Sequence, residues 1–134
     1  MTNKDQFKSI FEMNSIAVVG MSPNPNRPSN YVAHYLKRNG FKIYPINPAY
    51  QNLDNMKCYS SLIEISNRID IVDIFRNPKF VVPIVEDAIK IKAKVIWFQD
   101  GVINDEAINI AKNHNLKVII NDCMLRQHKQ IYKN

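Results

Sequence analysis

Apolar and polar positions along this chain follow two rhythms. Five short, nearly continuous apolar runs, at residues 15–20, 41–46, 69–75, 94–98 and 116–120, have strand length and are rich in Val and Ile. Between them the apolar residues fall at helical spacing. Residues 3–13 put Phe7, Ile10 and Phe11 on one face, and 28–39 carry a Val32, Tyr35, Leu36 stripe with Pro28 in the first turn and Gly40 closing the helix. Asn77-Pro78 precedes a helix over 82–91, its start set by Pro83. Asn104 is a fitting N-cap for a helix to His114, with Asp105 and Glu106 in its first turn, and a short basic helix closes the chain. The stretch 49–59 reads as an irregular connection, leading to a short helical turn near 60–65. Strands separated by helices predict an α/β, three-layer, Rossmann-like fold: one domain over 1–134, with a five-stranded parallel sheet and helices on both faces.

In such a sheet ligands sit at the carboxyl ends of the strands, near the point where strand order reverses. The first strand runs into Gly20 and then a loop, Met21-Ser-Pro-Asn-Pro-Asn-Arg-Pro-Ser29, with a helix start at its far end. Ser22 and Ser29 can donate hydrogen bonds to phosphate, and Arg27 can pair with it. The N–H groups of Ser29 and Asn30 are expected to point outward at the helix N-terminus. Plain turn chemistry also favours Pro, Asn and Ser, but three prolines make this loop more elaborate than a turn requires. The Gly-x-Gly-x-x-Gly spacing of dinucleotide enzymes is absent.

The later strand ends add fewer clues. Asn47-Pro48 stands where a dinucleotide enzyme places Asp or Glu for the ribose, and it reads equally as an Asx–Pro turn. Phe75 reads as core or as a face for a base or arm, and Arg76 can reach a phosphate. Gly101, after Gln99-Asp100, permits close backbone approach. Asp122 can cap the last helix, and Cys123 reads as a small packing residue. Asp73 interrupts an apolar run, where a structural hydrogen bond is expected rather than general-base work. His34, His114 and His128 fall mid-helix, at a helix end and in the tail, none aimed at the strand ends.

Composition narrows the classes. The 134 residues are 46% hydrophobic with only 3 glycines, which excludes disordered and collagen-like chains. No apolar run approaches membrane-spanning length, and residues 1–7 carry no apolar signal core, so cytoplasmic residence is expected. Cys58 and Cys123 stand far apart and read as free thiols. The net charge of +6 is spread along the chain and local only in the tail, 126–133, which argues for a solvated surface over nucleic acid. Neither a nucleophile elbow, a Walker A motif nor a metal-ligand set is present, and nothing specifies an oligomeric state.

Five segments together resemble the small stand-alone coenzyme A-binding proteins, a Rossmann-like family related to the CoA-binding domain of the succinyl-CoA synthetase α subunit. They are Ile16-Ala-Val-Val-Gly-Met-Ser-Pro-Asn-Pro-Asn-Arg-Pro-Ser with Tyr44-Pro-Ile-Asn-Pro, then Ile69-Asp-Ile-Val-Asp-Ile-Phe-Arg, then Val95-Ile-Trp-Phe-Gln-Asp-Gly-Val, and the closing Asn121-Asp-Cys-Met. The resemblance spans about residues 7–128. It implies that Gly20, Ser22, Asn24, Arg27 and Ser29 cradle the CoA phosphates and that Asn47 and Pro48 line the adenosine end. It further implies that Phe75 and Arg76 face the pyrophosphate or the start of the pantetheine arm, which leaves near Gln99 and Gly101. Cys123 matches a cysteine common in the family. Asp100 departs from a small apolar residue and would disfavour an anionic acyl group, and Gln127 departs from an acidic one.

The leading expectation is a CoA or acyl-CoA binder without catalytic machinery. The competing class is an enzyme or redox sensor that uses NAD(H) or another nucleotide, with Cys123 reactive. A module binding protein or nucleic acid through the basic tail is a further alternative.

Overall fold

The computed structural model describes residues 3–132. Along the chain come α1 (Asn3–Phe11), β1 (Ser15–Val19), α2 (Pro28–Arg38), β2 (Lys42–Ile46), the two-residue strands β3 (Asn52–Leu53) and β4 (Met56–Lys57), and β5 (Ile71–Ile74). There follow α3 (Val81–Lys90), β6 (Val95–Phe98), α4 (Asp105–Asn113), β7 (Lys117–Ile119) and α5 (Met124–Tyr132). Single 3₁₀ turns cover Leu62–Glu64 and Pro78–Phe80. The five apolar runs form one sheet in the order β2-β1-β5-β6-β7, every pairing parallel. Counted among themselves, these strands take the doubly wound order 2-1-3-4-5, whose switch point lies between β1 and β5.

Strand alternation divides the core into two layers. Ile16, Val18, Val95 and Trp97 face α1, α2 and α5, where Phe7, Phe11, Leu36 and Met124 complete one cluster. Ala17, Val19, Ile96 and Phe98 face α3 and α4, packing on Val81, Val85, Ala107 and Ala111. Both faces are therefore covered, and β1, β5 and β6 are buried along their whole length.

One expectation is corrected. The stretch 49–59 is not irregular throughout, because β3 and β4 pair as an antiparallel hairpin. Its turn residues, Asp54 (φ 50°) and Asn55 (φ 65°), both adopt the left-handed conformation that a tight primed turn requires. The basic tail forms the closing helix that the sequence predicts. As far as it is described it is α5, which buries Met124 and His128 against the first core cluster. His128 Nδ1 lies 2.7 Å from the Tyr35 hydroxyl, and burial lowers its pKa. No helix of the described residues is long and apolar enough to cross a membrane.

Candidate functional site

The chain leaves β1 and β5 in opposite directions, so their carboxyl ends open a crevice at the switch point. Gly20 forms its floor. Its φ of +89° belongs to the left-handed region, and a Cβ there would stand 2.4 Å from the Phe75 carbonyl oxygen. Only glycine meets both demands. Its N–H donates to the Ile46 carbonyl, tying the strand end to β2.

Two cavities meet over Gly20 and share Arg76. The first, ≈ 210 Å³, lies on the β2 side and is lined by Val19, Ile46, Asn47, Pro48, Phe80 and Asp87 among others. The second, ≈ 420 Å³, reaches toward β6, with Ser22, Arg27 and Ser29 at one side and Phe75, Asp100, Gly101 and Val102 at the other. Neither lining contains histidine or cysteine.

The loop after Gly20 shapes itself through its own side chains. Ser29 Oγ accepts from the Ser22 N–H at 3.0 Å, Ser22 Oγ from Asn24 and Asn24 Oδ1 from Asn26. Both serine hydroxyls accept within the loop, which leaves their protons to donate outward. The N-terminus of α2 has no side-chain cap, so its positive end is left to whatever occupies the second cavity. The Asn30 N–H is spent on the Arg27 carbonyl at 2.9 Å, which corrects the expectation that it points at a ligand. Among the described residues, Arg27 is exposed and bonds to no side chain, and the Arg76 guanidinium lies over the Phe80 ring at 5.4 Å without a carboxylate partner. Two guanidinium groups that form no ion pair with the described residues therefore flank Gly20 and are free to meet an anionic ligand.

Other expected residues stand in different roles. Asn47 Nδ2 donates to the Met21 carbonyl and its Oδ1 accepts from Ala49, so it makes the Asx turn and also braces the loop while lining the first cavity. Asn24 shapes the loop and lines neither cavity. Gln99 is 3% exposed, and its Nε2 donates to Asp73 Oδ1 at 2.7 Å. It turns inward, and only its carbonyl, which accepts from Val102, acts on the Gly101 turn. Asp73 makes the structural hydrogen bond expected of it. Its Oδ2 is buried with no partner among the described residues, and burial pushes its pKa up to about 8, so the group is a carboxylic acid at neutral pH. Cys123 packs half-buried on the first core cluster, and burial pushes its thiol pKa up, opposite to a reactive thiolate.

Three parts of the site lay outside the sequence reading. Arg126, counted with the basic tail, binds Asp100 through both terminal nitrogens (3.0 and 2.9 Å) and Asp122 at 2.9 Å. Asp54, at the hairpin tip, accepts from Asn30 Nδ2 at 2.7 Å and lies 2.7 Å from His34 Nε2. Asn30 Nδ2 also donates to the Ser22 carbonyl, so the hairpin holds the loop through α2. Phe80 and Asp87 join the first cavity from the turn before α3 and from α3 itself. The Asp54-Asn55 dipeptide, a turn pair, was the one local signal for any of these.

A model of the family described as CoA binding domain matches residues 14–129. The uncharacterized protein YneT of Bacillus subtilis is 35% identical over 127 residues, covering 94% of both chains. The ADP-forming acetate–CoA ligase of Methanocaldococcus jannaschii is 33% identical over 128 residues; the match takes in 89% of this chain but 18% of the ligase. Among solved structures, a hypothetical protein from Pyrococcus horikoshii superposes with a TM-score of 0.94 at 39% identity, over 97% of this chain and 92% of that one. The chain belongs to the CoA-binding domain family.

Proposed function

We propose that this chain is a cytoplasmic, single-domain binder of coenzyme A or an acyl-CoA, and that it holds the ligand without transforming it. One observation carries the reading: two cavities meet at Gly20, flanked by the unpaired guanidinium groups of Arg27 and Arg76 and by the uncapped start of α2. That is an arrangement for several phosphates between two unlike ends. Ser22, Arg27 and Ser29 would take the pyrophosphate, and Asn47 and Pro48 would line the adenosine end in the smaller cavity. Phe75 and Arg76 would meet the start of the arm, which leaves past Gly101. Gly20 lets the ligand lie close to the sheet, and Asn24 and Gln99 act by fixing the loops rather than by touching it. Family membership and the likeness to CoA ligases favour CoA over other nucleotides. A binding role is favoured because neither cavity presents an imidazole or a thiol as base or nucleophile.

The alternative of an NAD(H)-using enzyme or redox sensor draws no support from Asn47, which carries no charge for a ribose, or from Cys123, which lines neither cavity. Separate calorimetric titrations with CoA and NADH distinguish the two. CoA is expected to give saturable heat with one site per chain, and NADH to bind more weakly or not at all. Tighter binding of NADH than of CoA, or no heat from CoA with the fold intact, would overturn the proposal.

A further inference from the structure

Resting on the CoA-binding reading above, we propose that the Asp100–Arg126–Asp122 cluster makes this cleft select thioesters with an uncharged acyl group over those whose acyl group carries a carboxylate. Asp100 and Gly101 line the second cavity on its β6 side. The phosphate-type groups Ser22, Arg27 and Ser29 lie beyond β1, two strand spacings or about 10 Å across the sheet. A ligand with its phosphates at that side extends its arm toward Asp100, so the acyl group emerges beside this cluster.

The cluster holds one guanidinium between two carboxylates, a net negative charge, and Asp100 is its member that lines the cavity. Arg126 does not offset it for an incoming anion. Its Nη2 hydrogens go to Asp100 Oδ1 and Asp122 Oδ1, and Nη1 donates to Asp100 Oδ2. A ligand carboxylate would have to break a two-point contact to reach it. Hydrogen bonds from Arg126 hold Asp100 below the usual carboxylate range, so its charge persists under mildly acidic conditions as well. Gln127 Nε2 donates to both oxygens of Asp122 and fixes that carboxylate without neutralising it. Of the other cations of this cavity, Arg27 lies at the opposite side with the phosphates, and Arg76 stands beside Gly20, where the arm starts.

The test is calorimetry on the full chain with CoA, acetyl-CoA and succinyl-CoA. At low ionic strength succinyl-CoA should bind at least about threefold more weakly than acetyl-CoA, the effect of one unit charge several ångströms away in a largely aqueous setting. The gap should narrow at about 0.5 M salt, where screening lengths fall to a few ångströms. It should also narrow in Asp100→Asn, which leaves Arg126 balanced by Asp122. Succinyl-CoA binding as tightly as acetyl-CoA, or a gap unchanged by salt and by the substitution, overturns this inference while CoA binding stands. No heat from any of the three removes the binding proposal, and this inference with it.

Discussion

At the scale of single residues, Gly20 and Asp73 carry the most consequence. Gly20 combines a left-handed φ with a close approach to the Phe75 carbonyl, so Gly20→Ala must strain the backbone and push β1 and β5 apart at once. A loss of at least about 2 kcal/mol is expected in denaturant unfolding, larger than an ordinary surface substitution produces. Asp73 makes a prediction about pH. Its folded-state pKa, about 8, stands above that of the unfolded chain, so the native state holds this proton more tightly. The stability it lends is complete below about pH 4, the ordinary aspartate range, and is lost progressively as pH rises toward about 8. Asp73→Asn should remove that slope, and unfolding midpoints measured across this range should diverge most from the parent chain at the alkaline end. Equal pH profiles for both proteins would show that Asp73 does not hold its proton in the native state. Its partner shows what local pattern cannot convey: Gln99 read as a group beside the ligand arm, but it turns inward to a carboxyl 26 positions away in sequence.

At the scale of elements, the five sheet strands and the long helices were legible because each carries its own signal. The strands are continuous apolar runs between turn residues, and the helices show apolar stripes with caps such as Asn104, which does accept from the Ala107 N–H. The β3–β4 hairpin was not legible. Two-residue strands have no period, and its turn uses Asp54-Asn55 without the glycine that usually marks one. Yet this small element reaches the candidate site. Asp54 joins Asn30 and His34 of α2, and Asn30 passes the restraint to the Ser22 carbonyl. Asp54→Ala should therefore loosen the loop after Gly20 more than the hairpin's size implies. Hydrogen exchange is expected to speed up at the amides of Ser22, Asn24 and Asn26, with the sheet amides unchanged. An effect confined to the hairpin itself would show that the two are not coupled. The hydrogen bonds to Asp54, from His34 first and Asn30 after, hold its carboxyl below the usual range, so this brace persists at neutral pH.

At the scale of the whole molecule, fold and cleft follow from one topological fact, the reversal of strand order between β1 and β5. The carboxyl ends of the strands fall within a residue of where the sequence puts them, and seven of its candidate site residues, Gly20, Ser22, Arg27, Ser29, Phe75, Arg76 and Gly101, line one cavity. It could not show that α5 returns across the sheet to set Arg126 against Asp100, because no local pattern encodes a contact between positions 26 apart. The central claim is that CoA lies across Gly20, its adenosine toward β2 and its arm toward β6. A crystal structure of the chain with CoA tests this most directly. Pyrophosphate density is expected against Ser22, Arg27 and Ser29 at the start of α2, the adenosine beside Asn47 and Pro48, and the arm passing Gly101. CoA bound elsewhere on the surface, or lying in the reverse direction across Gly20, would contradict it.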